Sequence, residues 1–302
     1  MDLFVRVVYM LGLLGIGVAA RSVGLLDDRR TDWLNRFAFY AALPALIFLS
    51  TYAEPLGEIL SPTVVIGLWI VLFATVGLSW LIHRRNEVPA ARGVAMVQSY
   101  HSNFGYFGLP LVASTLGTAA AAKASLILGV GALTQVPLTI LILLRVTDSD
   151  ASIADELKGV VTNPVLIALV IGLVFSWRGF GVPAPATAGL GVLSDLALPI
   201  ALLCVGASIE LALPREDLGT VGSVVGLKVL LMPVLAWVTF TLLGASELTL
   251  QASVLMFGAP TAVSTYIYAS ELGGDRRIAS LNIFATTVVS IVTLLGVFEL
   301  LL

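Results

Sequence analysis

Gln98-Ser99-Tyr100-His101-Ser102-Asn103-Phe104-Gly105-Tyr106-Phe107-Gly108-Leu109-Pro110 lies in the middle of an otherwise apolar stretch, residues 92–116. The stretch is long enough to cross a bilayer, which takes about 20 apolar residues. It is also badly suited to being one straight helix. Pro110 has no N–H and its ring presses on the preceding turn. Gly105 and Gly108 open backbone geometry closed to other residues. The segment therefore predicts a helix interrupted near its centre. Unwound backbone is costly in hydrocarbon unless it is buried in protein or lines a cavity, so an interruption there points to an interior site.

The composition agrees with a membrane setting. The 302 residues are 58% hydrophobic and 12% charged, with 16 Lys and Arg against 19 Asp and Glu. Mean hydropathy is +1.02. Soluble domains carry about 25% charged residues. A net charge of −3 with no basic tract argues against a nucleic-acid partner. Cys204 is the only cysteine, so neither an internal disulfide nor a thiolate metal cluster can form, and no metal site is expected. The apolar runs are continuous rather than alternating, which disfavours a β-barrel.

Ten candidate spans follow, over residues 3–22, 33–53, 62–82, 92–116, 122–145, 158–177, 187–211, 218–242, 249–271 and 278–301. The first has the look of a signal peptide around Val18-Ala19-Ala20, but the repeat described below requires it as a span. Twelve Lys and Arg, among them Arg29, Arg30, Arg84, Arg85, Arg276 and Arg277, fall in the connections 1–2, 3–4, 5–6, 7–8 and 9–10. Three, Arg6, Lys123 and Arg178, fall on the other side. The bias puts the first set in the cytoplasm and both termini outside. Trp33, Trp80 and Trp177 near span ends fit an interfacial belt in contact with lipid. Gly12, Gly15 and Gly17 are expected to let the first span pack closely.

The two halves share punctuation. Leu43-Pro44 in span 2 matches Leu198-Pro199 in span 7, Trp80 matches Trp237, and Gly108-Leu109-Pro110 matches Gly258-Ala259-Pro260. These pairs divide the chain into a first repeat over 1–146, a short cytoplasmic linker over 147–157 and a second repeat over 158–302. Five spans per copy is odd, so the copies sit in opposite orientations. An inverted repeat with interrupted helices in matching places is the mark of a secondary transporter. The fold class expected is an all-α polytopic membrane protein, with ten helices in a 5+5 inverted repeat and with spans 4 and 9 broken and crossing.

At such a crossing the half-helix N-termini present free N–H groups and partial positive charge, which suits a carboxylate. Asn103 offers amide donors and a carbonyl acceptor. The expected substrate-binding set is Asn103, Gly105, Gly108, Pro110, Gly258, Pro260, Thr261 and Lys228. Lys228 sits near the centre of span 8, where a Lys costs about 2.5–3.5 kcal/mol. It must find carbonyls of a broken helix, water in a cavity or an anionic substrate. His101, Gln98 and Ser264 are candidates for proton or ion coupling, since histidine titrates near neutral pH. Gln98 and Gln135 can equally tie helices together. No P-loop motif is present, so an ion gradient, of protons or sodium, is the expected energy source, with no organic cofactor. The competing readings are a passive anion channel and a ligand-binding membrane receptor domain. An enzyme is not expected, because no HExxH pattern or mid-depth acidic pair is present.

From Asn103 to Pro110 the chain resembles the auxin efflux carrier family, with its Asn followed by Gly-x-x-Gly-Leu-Pro. Asn163-Pro164, the Leu203 to Ser208 segment, Lys228 followed by Pro233, and the stretch from Pro260 to Thr287 extend the resemblance over spans 2 to 10. The resemblance implies a scaffold of spans 1, 2, 6 and 7 that mediates homodimer contacts. It implies a transport domain of spans 3–5 and 8–10 moving as an elevator. It also implies an organic anion as substrate, auxin-like or malate-like. The short central linker implies a compact prokaryotic member in the plasma membrane.

Overall fold

A computed structural model describes residues 3–147, 162–207 and 218–301. The linker beyond Thr147, with Lys158, and the stretch containing Ser208, Glu210 and Arg215 lie outside the described residues. The described residues are helical, in chain order α1 Leu3–Ser22, α2 Asp28–Tyr52, α3 Pro62–His83, α4a Pro89–Gln98, α4b Phe104–Leu116, α5 Thr118–Thr147, α6 Pro164–Arg178, α7 Ala184–Ala207, α8 Leu218–Leu242, α9a Glu247–Gly258, α9b Ser264–Glu271 and α10 Arg276–Leu301. Among them six stretches are long and apolar enough to cross a membrane: α2, α5, α7, α8, α3 with the short turn before it (Leu56–His83), and Arg276–Val297 of α10. Helices α1, α4b and α6 contribute shorter apolar segments. The protein is thus an all-helical, multi-pass membrane protein.

Local chemistry sets several boundaries away from those expected. Helix α2 starts at Asp28 rather than 33, because the Asp27 side chain accepts from the Arg30 N–H at 2.8 Å and caps the helix. Helix α6 starts at Pro164 rather than 158. Asn163 caps it by accepting from the Val165 N–H at 2.9 Å, and Pro164 holds Asn163 extended.

Three prolines sit in continuous helices behind a widened turn. π-helical segments occupy Ala38–Ala42, Phe104–Gly108 and Gly226–Leu231, and each is followed by a residue and then Pro44, Pro110 or Pro233. In each case the residue before the proline donates five residues back: Leu43 to Ala38, Leu109 to Phe104, Met232 to Leu227. The wide turn moves aside the carbonyl that the proline ring would strike. This corrects the location of the break in span 4. Gly105, Gly108 and Pro110 do not interrupt the helix; they widen it, and the interruption lies upstream over residues 99–103. In span 9 the interruption falls at Ala259–Val263 and includes Pro260.

Hydrogen bonds between helix ends define two faces. At one face Thr147 Oγ1 donates to the Leu272 carbonyl at 2.7 Å and the Asp275 N–H to the Ala90 carbonyl at 3.3 Å. At the other, Lys123 Nζ donates to the Glu58 carbonyl at 2.9 Å and Ser176 Oγ to the Glu54 carbonyl at 2.6 Å. Helix α1 packs on α7, and α2 packs on α6 and α7. The remaining helices cluster about α5, α8 and α9a, around the fully buried Tyr100, Phe107, Phe240 and Phe257. Apolar side chains such as Ile66, Trp69, Ile70 and Phe73 of α3 are exposed along the outside, as are Trp33, Trp80 and Trp177.

The α1–α7 contact is made backbone to backbone. A Cβ at Gly206 would lie 2.3 Å from the Leu14 carbonyl oxygen, and one at Gly17 would lie 2.4 Å from that of Leu203. Gly12 and Gly15, expected to do the same, have no heavy atom within 4 Å of such a Cβ; they lie on a different side of the helix from Gly17. Gly206→Val should therefore force α1 and α7 apart at a cost of about 1–3 kcal/mol. In detergent-purified protein this appears as a lowered Tm, while Gly12→Val leaves Tm unchanged.

Candidate functional site at the paired helix interruptions

The two interruptions meet. Ser102 and Thr261 form an antiparallel β-bridge. The Asn103 N–H donates to the Pro260 carbonyl and the Ala262 N–H to the His101 carbonyl, each at 2.9 Å, and Thr261 Oγ1 adds a 3.2 Å bond to the same His101 carbonyl. Other donors of the pair are taken up from the sides. The Ser102 N–H goes to Gln135 Oε1 of α5 at 2.7 Å, and the Thr261 N–H to Thr286 Oγ1 of α10 at 3.3 Å. Pro260 has no N–H to satisfy. Helix-ending backbone, which water would ordinarily solvate, is here solvated by protein.

A second layer fixes this pair. Gln98, fully buried at the end of α4a, donates to Thr265 Oγ1 at 2.9 Å and to the Ala279 carbonyl at 3.0 Å, and accepts from Asn282 Nδ2 at 2.8 Å. It joins α4a, α9b and α10. His101 Nδ1 shares a 2.8 Å hydrogen bond with Thr139 Oγ1 of α5, and its ring lies beside those of Tyr100 and Tyr268. Lys228, 0% exposed, donates from Nζ to the Phe257 carbonyl at 2.9 Å. That carbonyl belongs to the last turn of α9a, where the helix carries partial negative charge. The π turn around Gly226–Leu231 carries Lys228 there.

In front of the pair lies a cavity of about 580 Å³. Asn103, Gly105, His101 and Ser264 line it from the broken helices, Gln135 from α5, Asp32 and Asn35 from α2, Asn163 at the head of α6 and Cys204 from α7. Helices α4b and α9b both start at this cavity, so both N-terminal dipole ends face it. Asn103, 4% exposed, caps α4b: its Oδ1 accepts from the Tyr106 N–H at 3.1 Å. That bond fixes which way the amide points. Its Nδ2 is left buried with no hydrogen-bond partner among the described residues. A smaller space of about 330 Å³, lined by Arg21, Asp28, Tyr266 and Ser280, shares Asp32, Asn35 and Val263 with the first. The cavity therefore continues toward the face that carries the α1–α2 and α9–α10 connections.

Of the residues singled out in the sequence, Asn103, Gly105, His101 and Ser264 line the cavity. Thr261 and Pro260 are in the backbone pair behind it, and Gln98 and Lys228 brace that pair. Gly108 faces α9a, where a Cβ would meet Met256 Sδ at 2.8 Å; Gly258 faces Leu294 at 2.9 Å. Pro110 lies in α4b just beyond its wide turn. The sequence reading passed over Asp32, Asn35 and Tyr268. The first two were legible as an i, i+3 polar pair, had α2 been taken from its Asp27 cap.

Residues 3–298 match the family described as membrane transport protein. The chain belongs to this family, that of the auxin efflux carriers. It is a transporter and not an enzyme. Among curated relatives, it is 27% identical over 297 residues to a Rhizobium meliloti (strain 1021) protein named "Putative malonate transporter", covering 96% of this chain and 92% of that one. It is 26% identical over 291 residues to an "Uncharacterized transporter" of Methanothermobacter thermautotrophicus, covering 95% of each.

Gln98 makes three interhelical hydrogen bonds, and such bonds average about 0.6 kcal/mol in membrane proteins. Gln98→Leu should destabilise the protein by about 2 kcal/mol, measured as a fall in the detergent Tm.

Proposed function

We propose that the protein is a secondary active transporter of a small organic anion, a carboxylate, working by elevator-type alternating access. The observation that carries this reading is the unpartnered Asn103 amide, buried at a cavity onto which the N-termini of α4b and α9b converge. A carboxylate oxygen supplies the acceptor that Asn103 Nδ2 lacks, and the two dipole ends favour its charge.

In this reading ten helices cross the plasma membrane as two inverted sets of five, over 1–146 and 158–302, with both termini outside and the basic connections cytoplasmic. The scaffold is α1, α2, α6 and α7. The transport domain is α3–α5 and α8–α10. Support comes from the packing of α1 on α7 and of α2 on α6 and α7, and from a cavity walled by Asn35, Asn163 and Cys204 on one side and Asn103, Gln135 and Ser264 on the other. In this reading the smaller space next to Arg21 and Ser280 supports an inward-open arrangement. Resemblance to the family adds a homodimer formed through the scaffold. Gly105 and Ser264 stand where substrate contacts both broken helices. Thr261, Pro260, Gly258, Gly108, Pro110 and Lys228 keep those helices in place.

Energy comes from an ion gradient. His101, at the cavity and bonded to Thr139, is the residue through which protons couple to the anion, ahead of sodium as the coupling ion. Counterflow of labelled carboxylates in proteoliposomes tests the carrier: Asn103→Ala should lower it at least tenfold without loss of protein from the liposomes. A wild type passing ionic current without counterflow would instead indicate a channel. In His101→Gln, stimulation of uptake by an imposed pH gradient should vanish while counterflow at equal pH remains. Stimulation that persists in the variant rules out His101.

A further inference from the structure

Six arginines gather at one corner of the molecule: Arg84 and Arg85 just beyond α3, Arg92 on α4a, Arg145 in the last turn of α5, and Arg276 and Arg277 at the start of α10. Hydrogen bonds hold these ends together. The Asp275 N–H donates to the Ala90 carbonyl at 3.3 Å, Thr147 Oγ1 to the Leu272 carbonyl at 2.7 Å and Arg92 Nη1 to the Asn86 carbonyl at 3.4 Å. Three carboxylates, Glu87, Glu271 and Asp275, stand against the six cations. Asp275 is taken up in starting α10, accepting from the Arg277 and Ile278 N–H groups at 2.9 and 3.0 Å. Among the described residues Arg84, Arg85 and Arg145, all exposed, have neither an ion pair nor a side-chain hydrogen bond. The α1–α2 connection on the same face is different: Arg21 pairs with Asp28 and Arg30 with Asp27. A basic bias on one face is general in membrane proteins, but it does not require unpaired cations to converge from separate connections.

Below the corner runs a seam open to lipid. Helices α3 and α5 pack side by side in the same direction, and Trp69 Nε1 donates to Thr134 Oγ1 across them at 3.3 Å. Helical spacing puts Trp69, Phe73, Trp80 and Arg84 on one face of α3, and Thr134, Leu138, Leu141 and Arg145 on one face of α5. Trp69, Phe73, Trp80 and Leu141 are 39–54% exposed. Eleven residues separate Trp69 from Trp80 and Thr134 from Arg145, which is about 16 Å along each helix. Arg145 therefore stands level with Trp80. Arg84 lies one turn further out, its guanidinium 5.1 Å from the centroid of the Trp80 ring. Exposed apolar side chains followed one turn later by cations match a phospholipid lying along the helices, with acyl chain against the first and phosphate against the second. Arginine suits a phosphate because its fork of donors meets two oxygens at once.

We infer that the seam between α3 and α5 is a binding site for an anionic phospholipid, with its headgroup at Arg84 and Arg145 and an acyl chain along Trp80, Phe73 and Leu141. Arg85, Arg92 and Arg276 extend the positive field around the headgroup. A zwitterionic lipid brings a cation of its own to this corner and is the poorer occupant. The linker after Thr147 carries Asp148, Asp150, Asp155 and Glu156 and is the rival source of negative charge, but it has no counterpart for the exposed apolar seam. The site is independent of the carrier reading.

Trp80 reports on the seam, because brominated acyl chains quench indole fluorescence on contact. Full-length protein is placed in phosphatidylcholine vesicles, and brominated phosphatidylglycerol is compared with brominated phosphatidylcholine. The part of the signal missing from Trp80→Phe should be quenched at least tenfold more effectively by the anionic lipid. Arg84→Gln together with Arg145→Gln should make the two lipids equal. Arg29→Gln with Arg36→Gln removes the same charge from the α1–α2 side of the face and should leave the preference intact. Equal quenching in the wild type overturns the site, as does an equal loss in the Arg29 and Arg36 variant, which would mean surface charge at large. Millimolar inorganic phosphate that abolishes the preference overturns it in favour of a free-anion site. A preference that emerges only in Asp148→Asn with Asp150→Asn overturns it in favour of the linker.

Discussion

A polypeptide that stops being helical inside a membrane protein must find partners for the backbone groups it frees, because lipid supplies none. Here the two interruptions are each other's partners. The short antiparallel contact of Ser102 with Thr261 uses the Asn103 and Ala262 N–H groups and the Pro260 and His101 carbonyls. What the contact leaves over, the Ser102 and Thr261 N–H groups, goes to Gln135 and Thr286. Much of the polar chemistry in the interior follows from this requirement. Gln98 ties the ends of α4a and α9b to α10, and Lys228 satisfies a carbonyl at the end of α9a. The Asn103 side-chain nitrogen is left buried without a hydrogen-bond partner among the described residues, and Asn103 lines the cavity.

Proline is accommodated in several ways, Pro137 inside the continuous helix α5 among them, and the differences separate support from function. Pro62, Pro89 and Pro164 begin helices, where their missing N–H is not needed. Pro44, Pro110 and Pro233 follow π turns and leave their helices continuous. Pro199 follows a turn at Leu196 between the two helical segments of α7. Pro260 sits in an open segment and gives its carbonyl to the other interruption. The π turn at Phe104–Gly108 has a consequence for the site. It begins at Asn103, whose backbone carbonyl accepts from the Gly108 N–H at 3.0 Å while its side chain accepts from Tyr106. Both of its acceptors are thus spent on holding the turn, which leaves its amide N–H groups for a ligand.

Much of this was legible in the sequence, because hydropathy and proline placement are local. The helices, the matched interruptions of two of them and the place of Asn103 at the first of these all come from residues read in order. The position of the first interruption was not legible that way. Gly105, Gly108 and Pro110 looked like the break, yet a π turn absorbs them, and the chain opens where Thr261 and Pro260, more than 150 positions away, offer hydrogen bonds. The same reason governs the glycines of α1. Gly12, Gly15 and Gly17 look alike in sequence, and only the placement of Leu203 and Gly206 makes Gly17 the contact. Lys228 was recognisable as a buried charge in need of a partner, but which carbonyl it takes depends on how α8 and α9a pack. Asp32 was passed over because α2 was begun at residue 33, six residues past its Asp27 cap, which left Asn35 without its i, i+3 partner.

The distribution of hydrogen bonds bears on how such a molecule can move. Within the group that holds the broken helices, several side-chain bonds are short, Gln98 to Asn282 at 2.8 Å, His101 to Thr139 at 2.8 Å, Ser102 to Gln135 at 2.7 Å and Ser79 to the Met96 carbonyl at 2.8 Å, while the two made at Thr261 are longer, at 3.2 and 3.3 Å. Across the seam to α2, Ser50 meets Ser125 at 3.2 Å and the Tyr106 hydroxyl meets the Asn35 carbonyl at 3.4 Å. Hydroxyl bonds are strongest near 2.7–2.8 Å, so those at the seam are the weaker ones, and the cavity lies along the same seam. A displacement that keeps the paired interruptions intact and slides them past α2 would therefore exchange few strong bonds. One that pulled the interruptions apart would strand backbone donors and acceptors at about 1–3 kcal/mol each. Any motion that keeps the two interruptions paired avoids that cost.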